Sequence, residues 1–66
     1  MFTNIKFLEN CRLHVQIGSE SKSKSFKQDQ IYKVIFKNCD EFYCTLIFDN
    51  GYVAEGVNKN AYVEVK

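Results

Sequence analysis

The stretch that leaves this chain least freedom is Phe42 to Val57, where two runs of aromatic and aliphatic residues flank Asp49-Asn50-Gly51. Aromatic and β-branched side chains suit a pleated, half-buried surface. Asn-Gly supplies the positive φ angles of a tight type I′ turn. The spacing therefore predicts a β-hairpin with a two-residue turn. In that register Phe42, Cys44, Leu46 and Phe48 share a face with Val53, Glu55 and Val57. Tyr43, Thr45, Ile47, Tyr52 and Ala54 share the other face. The first set is the better core, and the second presents two tyrosines and an isoleucine toward solvent.

The rest of the chain keeps the same period of two. Leu13, Val15 and Ile17 alternate with Arg12, His14 and Gln16, which predicts a strand over 12–17. Ile31 to Lys37 is a second strand, with Tyr32, Val34 and Phe36 inward. Ile31 and Ile35 are apolar on its other side, so either face could be covered. Asn38 to Glu41 and Asn58 to Asn60 are turns, and Ala61 to Val65 is a last strand. Phe2 to Leu8 is a short strand or an ordered arm, with a helix over 1–10 as the other option. Gly18 to Ser25 is wholly polar, can bury nothing and reads as a mobile loop. Phe26 is the anchor where that loop rejoins the body. No stretch of ten residues sustains a helical period.

Sixty-six residues allow one domain. A chain this short buries about 60% of its unfolded surface, so its core is economical. Six Phe and four Tyr within a hydrophobic fraction of 45% suffice for a globule and exceed what a disordered tail carries. The formal net charge of +1 argues against an acidic DNA mimic and against a bulk phosphate binder. The three cysteines, an odd number, and the lack of an apolar signal segment point to a reducing compartment. No apolar run approaches the roughly 20 residues that span a bilayer. The expected location is the cytoplasm.

Candidate chemistry is sparse. Cys11, Cys39, Cys44 and His14 do not have the paired spacing of a zinc site. His14 lies outward on its strand with no nucleophile, orienting partner or oxyanion site marked beside it. Asp40 and Glu41 are neighbouring turn acids, which are ordinarily solvated. The expectation is a non-catalytic protein with no metal and no cofactor.

The order from Phe26 onward is strand, turn, strand, tight hairpin, strand, one-turn break and short final strand. It is similar to the Src-homology-3-like small barrel. Glu55-Gly56-Val57-Asn58-Lys59-Asn60-Ala61-Tyr62-Val63-Glu64-Val65 resembles that family's closing segment, a Gly-containing strand, a 3₁₀ turn and Tyr-Val. The resemblance covers roughly residues 11–66 and implies an all-β antiparallel barrel of about five strands, with Gly18 to Ser25 as its long first loop. Of the family's peptide groove only Tyr62 has a counterpart, because the chain lacks the groove's Trp and Pro. Binding of proline-rich peptides is therefore not implied. A short, proline-free chain whose basic residues, Arg12 apart, are all Lys also resembles the accessory proteins that bacteriophages carry.

Three functions follow as expectations. The first is a protein-binding module, such as a phage-encoded inhibitor or modulator of a host protein, contacting its partner through Tyr43, Ile47, Tyr52 and Tyr62. The second is nucleic-acid binding, with Lys22, Lys24 and Lys27 touching phosphates beside exposed tyrosines. The third is a homo-oligomeric structural component that covers an edge strand by self-association.

Overall fold

A computed structural model describes all of residues 1–66. Seven antiparallel strands form one sheet: β1 (Thr3–Phe7), β2 (Cys11–Ile17), β3 (Glu20–Phe26), β4 (Tyr32–Lys37), β5 (Tyr43–Phe48), β6 (Val53–Asn58) and β7 (Tyr62–Glu64). A 3₁₀ turn, Lys59–Ala61, joins the last two. The spatial order is β3-β2-β6-β5-β4-β1-β7. The all-β expectation holds, whereas a closed barrel of about five strands does not: β3 and β7 are free edges.

The sheet nevertheless curls around one apolar face. Every strand contributes to it: Ile5 and Phe7 from β1, Val15 from β2, Phe26 from β3 and Val34 from β4 are all at or below 1% exposed. Leu46 and Ala54 lie at its centre on β5 and β6, and Tyr62 closes it from β7. Full burial of a side chain such as Leu46 or Phe7 is worth about 1.5–3 kcal/mol. The two ends of the sheet approach each other through side chains. The Phe7 and Phe26 ring centroids are 5.3 Å apart. The Gln28 N–H donates to Asn10 Oδ1 at 2.8 Å, and Gln28 Nε2 donates to the Leu8 carbonyl at 2.9 Å. No strand ladder completes the circle.

One expectation along the N-terminal half needs correction. Gly18 to Ser25 is not a loop: β2 and β3 form a hairpin paired from Cys11↔Phe26 to Ile17↔Glu20, turning at Gly18 and Ser19. Gly18 takes a φ of +59° there. Of the options for residues 1–10, the short strand is the one that forms: β1 sits inside the sheet between β4 and β7.

A further correction concerns the β5–β6 hairpin and decides which side chains share a face. The Phe48 N–H donates to the Tyr52 carbonyl at 2.8 Å, and the Gly51 N–H donates to the Phe48 carbonyl at 3.0 Å. The loop thus has three residues, Asp49-Asn50-Gly51. Only Gly51 takes a positive φ, +93°, so the turn is not type I′. Ile47 pairs with Val53 and Leu46 with Ala54, one residue away from the expected register. A bulge at Glu55-Gly56 then restores Cys44↔Val57 and Tyr43↔Asn58. The physical gain is clear. The two-residue turn would set the Glu55 carboxylate opposite Leu46 in the core, a costly burial without a partner. The observed register puts the Ala54 methyl there, and the bulge, with Gly56 at φ +67°, leaves Glu55 exposed.

Candidate functional site

The shifted register divides the expected tyrosine patch between two faces. On the outer face Ile35, Ile47 and Val53 are successive cross-strand neighbours, and Gln16 of β2 follows Val53. Tyr43 lies on the same side of β5 as Ile47 and is exposed. Around this stripe alternation directs Lys33 and Lys37 from β4, Lys6 from β1, and Arg12 and His14 from β2. Glu55, grouped with His14, Gln16 and Val53 around a shallow depression, is the acid on that face. The outer face is therefore an aliphatic stripe with a mainly cationic rim.

Tyr52 lies on the opposite side, beside Phe48 and packed against the core. Alternation along β3 brings Lys22 and Lys24 onto this side, opposite Val15 and Leu13. Their ammonium groups lie 5.1 Å and 4.8 Å from the Tyr52 ring centroid. Each gains from the electron-rich ring face. The approach of the Lys22 ammonium and its charge, followed by the charge of Lys24, hold the Tyr52 hydroxyl below its ordinary pKa. The same approach raises Lys22 above its own. A cavity of about 340 Å³ opens beside this cluster, walled by Tyr32, Phe48, Ile31 and Tyr52, with Gln30 and Asn50 at its margin.

Lys27 does not join the other two lysines. It sits past the end of β3 in a separate depression with Arg12 and Ser25, and its backbone N–H donates to the Tyr32 hydroxyl at 2.8 Å. Tyr62 is also set apart. It is largely buried, stacks on Phe36 at 5.9 Å, and lines a third cavity of about 380 Å³ with Cys39, Cys44, Lys59 and Glu64. Burial, then the charge of Glu64, raises its hydroxyl pKa. The Cys39 and Cys44 sulfurs meet as a disulfide at that cavity, while Cys11 is free and half-buried. Cys44 is buried, as its place on the inner face of the hairpin predicts. Spacing alone does not show that the β4–β5 turn folds Cys39 back onto Cys44.

Of the expected contact residues the structure sets Tyr43 and Ile47 on one side of β5, with Thr45 between them, and brings Tyr52 together with Lys22 and Lys24. Ile35 and Val53 belong to the outer stripe and were not named for it. Ile35 was visible as an apolar residue on the outward side of its strand, whereas Val53 was hidden by the assumed turn length. Comparison with protein-family models, with curated proteins and with solved structures finds no match to this chain.

Proposed function

We propose that this chain is a small non-catalytic binding module that docks a protein partner on its outer sheet face. The observation that supports this reading is the Ile35–Ile47–Val53 stripe, continued by exposed Tyr43 and rimmed by Lys6, Lys33, Lys37 and Arg12. An apolar centre with a polar rim is the usual anatomy of a protein contact. The cationic rim selects a partner with acidic groups around an apolar patch and steers its approach. The strand order β7-β1-β4-β5-β6, with a 3₁₀ turn before β7, supports reading these strands as an opened Src-homology-3-like small barrel carrying the β2–β3 hairpin as an addition. The lysine-rich, proline-free composition supports a phage accessory role, in which the partner is a host protein.

Affinity capture from the native host, with mass spectrometry, tests the reading. The unaltered chain is expected to retain a stoichiometric protein that Ile35→Glu and Tyr43→Ala both lose, with circular dichroism showing both variants folded. Identical capture by the folded variants, or no partner at all, contradicts it.

A second reading, nucleic-acid binding, is favoured by the convergence of Lys22 and Lys24 on Tyr52. Self-association through β3 has less support. An antiparallel pair of β3 strands centred on Ser23 sets Lys22 opposite Lys24 of the second copy, and like charges directly opposed destabilise a ladder.

A further inference from the structure

The second reading can be made specific, and the inference here rests on it. Lys22 and Lys24 are alternate residues on one face of an edge strand, and both ammonium groups lie within about 5 Å of one ring. Two like charges drawn together in this way are relieved by an anion placed between them. The acid whose charge reaches this pair is Glu20, and it is exposed at the start of β3. Beside the cluster, the aromatic and aliphatic walls of the 340 Å³ cavity offer flat contact area. Gln30 and Asn50 stand at its margin with amide groups. Gln30 Oε1 accepts from the Tyr32 hydroxyl at 3.2 Å, and Asn50 Oδ1 accepts from the Tyr52 N–H at 3.4 Å. Neither amide NH2 group donates to another part of the chain. Lys33 borders the same cavity, and Asp49 is the acid there.

We propose that this groove, between β3 and the Asp49–Tyr52 turn, binds single-stranded nucleic acid. A base enters against Tyr52 and Tyr32, its edge meets the Gln30 and Asn50 amides, and the flanking phosphates draw Lys22 and Lys24 off the ring. A flat hydrogen-bonding base accounts for the aromatic cavity, which an acidic peptide leaves unused. A duplex keeps its bases stacked inside and presents only phosphates, so it gains nothing from the cavity.

Fluorescence anisotropy of labelled single-stranded oligonucleotides, with a duplex and polyglutamate as competitors, tests this on the full chain. Binding is expected at low salt, weakening with a log–log slope of about −1.4 if Lys22 and Lys24 each neutralise a phosphate. Tyr52→Leu is expected to weaken binding roughly 5- to 150-fold, the cost of one lost stacking contact. Lys22→Glu with Lys24→Glu, on an exposed edge strand, is expected to abolish binding with the fold intact. If oligonucleotides bind but only Arg12→Ala and Lys27→Ala reduce affinity, the groove assignment is overturned while nucleic-acid binding stands. Equal competition by polyglutamate with no effect of Tyr52→Leu reassigns the site to an acidic peptide and overturns the proposal. Absence of binding at low salt removes both the groove and the second reading.

Discussion

At Asp40 one carboxylate oxygen accepts the N–H groups of Phe42 and Tyr43, each at 2.8 Å. The bond from Tyr43, then that from Phe42, then the charge of Lys59 hold this carboxyl below its ordinary range. The Lys59 ammonium also donates to the Asp40 carbonyl at 2.8 Å, tying the β4–β5 turn to the 3₁₀ turn. A carboxyl with a depressed folded-state pKa adds stability above its unfolded value of about 3.9, and that contribution is lost as pH falls through the folded value. The melting temperature is therefore expected to fall on acidification below about pH 4. Asp40→Asn keeps an acceptor but cannot titrate, so its melts, followed by circular dichroism, are expected to show a shallower acid dependence. An unchanged dependence in the variant contradicts this role. Glu41 has no such bonds, and adjacent acids in a turn look alike in sequence; only the backbone path separates them.

Among the elements, the β5–β6 hairpin shows what the sequence makes legible. Its existence was plain from Asn50-Gly51 between two apolar runs, and so was the burial of Cys44, Leu46 and Phe48, whereas Phe42, expected on the same face, precedes β5 and is 61% exposed. Its register was not, because Asn-Gly is compatible with both two- and three-residue loops and the choice is made by packing across the sheet. A glycine inside a strand marks a bulge, so Gly56 was a readable sign that a register shift needed compensation. Strand β3 was illegible for a different reason. Its inward positions are Lys22 and Lys24, which cover Tyr52 rather than entering the core, and only Phe26 shows a strand's apolar period. The bulge gives a direct test. A Cβ on Gly56 meets no atom within 4 Å, so Gly56→Ala is penalised by its left-handed backbone alone. The expected loss, read by urea denaturation, is about 1–2 kcal/mol. A neutral or stabilising effect contradicts a left-handed Gly56.

For the whole molecule, the consequence of these local choices is a curled open sheet with two chemically different surfaces. The convex side carries the Ile35–Ile47–Val53 stripe and its basic rim; the other side, where β3 overhangs the core, carries Tyr52 under two lysines. Sequence alternation was enough to find most inward residues, but one residue of loop length moved Tyr52 from the first surface to the second. Free edges at β3 and β7 follow from the strand order. Charged side chains such as Lys22 and Lys24 are a common protection of such edges, so the lysines serve the fold whether or not the groove is occupied.

The division into two faces stands or falls on the side of the sheet that Tyr52 occupies. Nuclear Overhauser spectroscopy of the labelled protein in solution reads this directly. Cross-peaks from the Tyr52 ring to the side chains of Lys22 and Lys24 are expected, with Ile35, Ile47 and Val53 linked among themselves. Cross-peaks from the Tyr52 ring to the Ile47 methyls, with none to Lys22 or Lys24, would return the hairpin to a two-residue turn and contradict both binding faces.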